Sequence, residues 1–168
     1  MNKLPEVWLR GSLANIPSLL QPVAHALLQA REEINELMTD FPDRLLWERP
    51  AGVAAPAFHL QHLTGVMDRL FTYAAGNALS EKQFEIFSME GKPDASITTA
   101  YLVKAFNKQV DIALDQLRST SESILTEQRE VGRAKLPSTM IGLYVHAAEH
   151  TMRHVGQLLV TVRVLKDR

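Results

Sequence analysis

Six histidines and no cysteine are the residues of this 168-residue chain whose chemistry and spacing demand an account. Five of the six fall in two segments, His59 and His62 in one, His146, His150 and His154 in the other. A neutral imidazole offers one nitrogen lone pair, which suits it to hold a metal ion or to carry a proton. Without cysteine there is no disulfide framework, iron–sulfur cluster, thiolate zinc site or cysteine nucleophile. Any metal must therefore sit on nitrogen and oxygen donors.

Helical spacing limits which histidines can cooperate. Residues four apart on a helix lie one turn from each other and point the same way. Residues eight apart are separated by roughly 12 Å of rise, so His146, His150 and His154 cannot all reach one ion. On a wheel of about 100° per residue, His150 and His154 fall in an apolar stripe with Leu143, Ala147, Leu158, Thr161 and Leu165. His146 leans instead towards Glu149 and Arg153, which favours the pair His150 and His154. Glu149 projects roughly 100° from its neighbour His150 and has an outer role at most. In the earlier segment Leu60, Leu63, Val66, Met67, Leu70 and Ala74 form an apolar arc. His59 lies just inside the border of that arc and His62 just outside it, so pattern alone slightly favours His59. Three histidines from two facing helices leave a coordination position open, as a catalytic metal requires. The plainer reading is a set of hydrogen-bonded core histidines, and it is the reading for His25.

The elements that must position these residues are punctuated by Gly and Pro and carry helical periodicity. A first long helix starts near Ser18 or Pro22, runs through Val23, Leu27, Ala30, Ile34 and Leu37, and stops before Pro42. A connector from Pro42 to Pro56 is anchored by Trp47. The second helix follows Pro56 and reaches residues 73–75. Ser80 caps a short helical segment that Gly91 and Pro93 end. The third long helix spans about Thr98 to Arg118, and a polar loop from Gln128 to Pro137 leads to a last helix capped by Ser138 and ending near Lys166. No apolar–polar alternation is long enough to build a sheet. The expectation is an all-α antiparallel four-helix bundle with a short extra helix between the second and third long helices. Residues 1–16 form an N-terminal arm bearing Trp8, and residues 17–168 form the bundle domain.

The last helix carries a second stripe, Ile141, Val145, Ala148, Met152, Val155, Leu159 and Val162, almost opposite the first. A bundle core covers one stripe, and a second subunit in a homodimer would cover the other. The alternative cover is the chain's own short segment and connectors. Asp68 and Arg69 read as surface or intersubunit charges. A net charge of −1 and a pI of about 6.6 lack the basic footprint of a nucleic-acid binder. No apolar run approaches the roughly 20 residues that span a bilayer, and Met1 to Glu6 lack a signal peptide's apolar core. A cytoplasmic protein without a membrane partner is expected.

The segment Ala57-Phe-His-Leu-Gln-His62-Leu-Thr-Gly-Val-Met-Asp-Arg-Leu-Phe71, followed by His146-Ala-Ala-Glu-His150-Thr-Met-Arg-His154-Val-Gly-Gln157, resembles the DinB/YfiT-like superfamily. The Leu46-Trp47-Glu-Arg-Pro50 connector and the Val131-Gly132-Arg133 approach to the last helix are similar as well, and the resemblance runs from about Pro17 onward. It implies a four-helix bundle, commonly a homodimer, with a divalent metal held by three histidines. The family's pattern of histidine, hydrophobic and small residue on the second helix falls on His62. Its His-x-x-x-His before Gly-Gln falls on His150 and His154, leaving His59 and His146 as supporting partners outside the ligand set. Zinc, nickel and iron all suit imidazole ligands. By the same resemblance, the expected activity is metal-assisted transfer of a low-molecular-weight thiol, such as bacillithiol, mycothiol or glutathione, to a small electrophile. Metal-dependent hydrolysis of a small substrate uses the same ligands, and a non-catalytic dimeric bundle that binds a ligand or partner is the reading from another class.

Overall fold

Helices begin in this chain where the sequence supplies a proline or a hydroxyl. The computed structural model describes residues 4–167. Helix α1 (Gln21–Leu37) carries Pro22 in its first turn and α2 (Pro56–Ala74) starts on Pro56, positions where a missing N–H leaves no bond unmade. Helix α3 (Glu81–Met89) opens on a capping box: the Ser80 hydroxyl accepts from the Gln83 N–H, and the Gln83 side chain accepts from the Ser80 N–H. Helix α4 (Thr99–Ser119) is capped by Thr98, whose hydroxyl accepts from the Tyr101 N–H. Helix α5 (Met140–Lys166) is capped by Thr139, not by Ser138 as expected; the Thr139 hydroxyl accepts from the Gly142 N–H.

Helices α4 and α5 each pack on both α1 and α2. Pairs Arg31–Asp111 and Asn35–Asn107 set α1 and α4 antiparallel, and His59–His154 with His62–His150 do the same for α2 and α5. Lys166 donates to the Leu37 carbonyl, and Gln116 to the Phe71 carbonyl. The C-terminal ends of α1 and α5 therefore lie together, as do those of α2 and α4. Between them Leu27, Ile34, Leu60, Met67, Phe106 and Leu158 are fully buried, making one continuous core. Because α2 and α4 run parallel, the chain must travel back along α2 between them, and α3 is part of that return.

The stretch expected as a polar loop folds into a hairpin. Strands β1 (Gln128–Val131) and β2 (Leu136–Thr139) pair antiparallel, Gln128 opposite Thr139 and Val131 opposite Leu136. Four residues per strand are too few for alternation to show in the sequence, and Pro137 is tolerated because both strands are edges. The Arg129 side chain donates to the Ala74 carbonyl over 2.7 Å, pinning the hairpin to the end of α2.

The two apolar stripes of α5 flank one buried strip: in the second stripe Ala148, Val155 and Val162 are buried, Ile141, Met152 and Leu159 are half-buried, and Val145 is 50% exposed. Met140, Tyr144 and Thr151, which lie between them on the wheel, are themselves buried. Leu143, Ala147, Leu158, Thr161 and Leu165 are buried within the chain, so this stripe needs no second subunit to cover it.

Val7 and Ile16 of the N-terminal arm are buried, and the Val7 N–H donates to Gln29 of α1. Trp8 stays 60% exposed. Trp47 packs against the core and donates to the Asp94 carbonyl. His25 is half-buried rather than a core residue, donating from Nε2 to the Gly11 carbonyl; the arm covers it only in part. No helix among the described residues is long and apolar enough to cross a membrane.

Candidate metal centre

Antiparallel packing of α2 on α5 brings four imidazoles together in register. His62 Nε2 faces His150 Nε2 at 3.0 Å, and His59 Nδ1 faces His154 Nδ1 at 3.0 Å. The ring centroids of His150 and His154 are 4.6 Å apart, as are those of His62 and His154. His62, His150 and His154 each present one ligand nitrogen within 4.8 Å of the others, and all three are half-buried. His59 is buried, only 3% exposed, and stands behind His154 rather than among the three. Phe58 stacks on His62 with the rings 5.3 Å apart. His146 lies on the outer face of α5, paired with Glu149 at 2.8 Å, while Glu149 also accepts from Arg153. His146, Glu149 and His150 make a second, more exposed group of possible ligands.

Burial opposes the charged form of His59, His150 and His154. His59 and His154 are each pushed down to about 4, first by desolvation and then by repulsion from His62. His150 is lowered too, again chiefly by desolvation. Neutral rings at pH 7 have lone pairs to offer a cation. The hydrogen bonding among them is incomplete: one proton at most fits between each facing nitrogen pair, and His150 Nδ1 is buried with no partner among the described residues. Tetrahedral ligation at about 2.0–2.1 Å per nitrogen puts ligand atoms roughly 3.3 Å apart, close to the 3.0 Å seen for His62 and His150. The donor set fits a divalent ion that takes imidazole nitrogen.

Sequence pattern missed the groups that hold His62. The Glu90 carboxylate accepts from His62 Nδ1 over 2.8 Å and from Arg69 Nη1 over 2.6 Å. Arg69 is thus no surface charge: its side chain is 11% exposed and its guanidinium lies 4.4 Å over the Phe87 ring. Asp68 is half-buried and accepts from Gln83 of α3. Both face α3 because the chain returns along α2. One local sign of Glu90 is present in the sequence: an acidic residue ends a helix, where the dipole disfavours it unless a cation is near.

A cleft of about 490 Å³ opens beside His59, walled in part by Val53, Arg153, Gly156, Gln157 and Val160. Gly156 leaves open space where a Cβ would stand.

Comparison with known proteins adds a family. No curated protein matches the chain. Among solved structures, a protein from Streptococcus pneumoniae superposes with a TM-score of 0.65 at 16% identity, covering 90% of this chain and 91% of that one. A DinB-like protein from Bacillus cereus ATCC 10987 gives 0.63 at 14% identity, over 83% and 91%. At such identities the likeness concerns the fold. The profile of the DinB superfamily matches residues 26–158, from the first turns of α1 to beyond His154. The chain belongs to the DinB superfamily.

Proposed function

We propose that this chain is a metal-dependent transferase that joins a low-molecular-weight thiol to a small electrophile, with His62, His150 and His154 as the ligands of a divalent ion. The observation that carries the reading is the convergence of three half-buried imidazoles, two of them held uncharged, on one point. When bound, the ion supplies Lewis acidity that favours the thiolate form of an incoming thiol. The chain has no cysteine, so the sulfur must arrive with the substrate. In the transfer the thiol S–H bond breaks and an S–C bond forms; the proton passes to solvent and the leaving group departs with its bonding pair. The protein's own part is to orient and to bind. His59 and Glu90 hold His154 and His62 from behind. Gln157 offers an amide at the wall of the cleft beside His59, next to Arg153, whose guanidinium pairs with Glu149 through Nη2 and keeps its other N–H groups for a polar substrate.

The test uses protein purified without a polyhistidine tag or chelator. Elemental analysis is expected to find a divalent metal that His62→Ala and the double change His150→Ala plus His154→Ala release. The loaded protein is then expected to consume glutathione with a chlorinated aromatic electrophile. Hydrolysis of model esters without thiol consumption would replace transfer by hydrolysis. Absence of any retained metal would overturn the site.

A further inference from the structure

We infer that Glu90 is a positioning residue for the histidine site, delivered by α3 and held in a slot that α2 leaves open for it. The inference rests on reading His62 as a ligand.

Glu90 is the C-terminal cap of α3, and its side chain is only 5% exposed. A buried carboxylate at the negative end of a helix is doubly unfavourable unless cations or donors satisfy it. Here both oxygens are used, Oε1 by Arg69 Nη1 and Oε2 by His62 Nδ1. Room for this group is built into α2. A Cβ on Gly65 would run into Glu90 Oε1 and come within 2.8 Å of Arg69 Nη1. The next residue fixes the backbone: the Gly91 N–H donates to Gln61 Oε1 over 2.8 Å. Gly91 itself has φ +78°, and a Cβ there would stand 3.0 Å from Phe58 Cδ2. Five positions of α2, from Phe58 to Arg69, are thus shaped around one carboxylate that arrives from another helix.

The chemical consequence concerns one proton. A carboxylate only accepts, so His62 Nδ1 must carry the hydrogen, and the Nε2 lone pair is turned towards His150. Holding a ligand histidine by its second nitrogen fixes tautomer and ring angle and raises its basicity. Among the described histidines of α2, His62 has this carboxylate and His59 does not; His59 Nδ1 is spent on His154. Glu90 thereby fixes the tautomer in which His62, set opposite His150 by the register of α2 against α5, presents its Nε2 as a ligand atom.

The experiment compares wild type with Glu90→Gln and Glu90→Ala, with His62→Ala as reference. Long-range proton–nitrogen correlation NMR on metal-free protein is expected to show His62 as the Nδ1–H tautomer in wild type and in Glu90→Gln, whose carbonyl still accepts. In Glu90→Ala a mixture of tautomers is expected. Zinc affinity, measured by chelator competition, is expected to fall about tenfold to a hundredfold in Glu90→Ala and less in Glu90→Gln. An unchanged tautomer and affinity in folded Glu90→Ala would overturn the inference. If Glu90→Ala fails to fold, zinc affinity in Glu90→Gln equal to wild type overturns it. Zinc lost from His62→Ala but kept by the Glu90 variants would leave the site standing and remove Glu90's role. If wild type takes up no zinc, the metal reading fails, and the tautomer in metal-free protein still decides whether Glu90 sets the ring.

Discussion

His59 and His154 meet through their Nδ1 atoms, 3.0 Å apart, so one ring donates and the other accepts. If His154 donates, its Nε2 is left free to face the ion, and His59 acts as the acceptor that keeps it there. His59→Ala is then expected to weaken zinc binding by roughly tenfold, with one equivalent still bound at saturation. His154→Ala is expected to lose the stoichiometry itself. Chelator competition followed by elemental analysis reads both. Loss of the bound equivalent in His59→Ala would make His59 a ligand.

Acid should loosen the metal-free protein earlier than carboxylates alone would dictate. His59 and His154 have folded-state values near 4, against an ordinary 6.5, because burial and the neighbouring rings oppose their charge. Between those values the unfolded chain binds more protons than the folded one, so stability is whole above pH 6.5 and falls as pH drops towards 4. For the buried His59 the loss is at most about 3 kcal/mol. Carboxyls held low by partners, such as Glu32 by Arg10 and Asp43 by the Thr99 N–H, shed their contribution only at lower pH. Urea midpoints of chelator-treated protein at pH 7.5, 5.5 and 4.5 should fall steadily, and less steeply in His59→Asn. Equal slopes in the two proteins would contradict the assignment.

Local chemistry was legible in the sequence and long-range placement was not. Pro22, Pro56 and Ser80 mark helix starts through their own backbone bonding, and His150 with His154 share a face by helical spacing. The choice between His59 and His62 turns on the register of α2 against α5, which sets His62 opposite His150 and His59 opposite His154; no pattern within α2 contains that register. Glu90 reaches His62 through the return of the chain beside α2, a property of topology. The buried strip between the two stripes of α5 was not legible because Tyr144 and Thr151, which lie in it, are polar enough to interrupt an apolar pattern.

The start of α5 separates two neighbouring hydroxyls. The Thr139 hydroxyl accepts from the Gly142 N–H over 3.1 Å, whereas Ser138 pairs with Arg129 across the hairpin. Thr139→Ala should cost about 1 kcal/mol, and Ser138→Ala should stay within roughly 0.5 kcal/mol. Thermal or urea unfolding of the two variants side by side decides it. A larger loss for Ser138→Ala would return the cap to that residue.

Gly65 gives a substitution in which stability and metal binding should part company. In the middle of a helix alanine is favoured over glycine by about 1 kcal/mol, so propensity alone predicts that Gly65→Ala stabilises the protein. The new methyl would stand where Glu90 Oε1 and Arg69 Nη1 now lie. Both are ends of long side chains, and they can yield, but only by breaking the bonds that bury the carboxylate. The propensity gain and the lost ion pair oppose each other, and the net change in unfolding free energy should be small. Zinc affinity has no such compensation, because the displaced carboxylate no longer holds His62 Nδ1. It should fall about tenfold or more at nearly constant stability, read by chelator competition beside a urea titration. A variant that gains the full helix propensity and keeps wild-type affinity would show that Glu90 can leave its slot without consequence for the site.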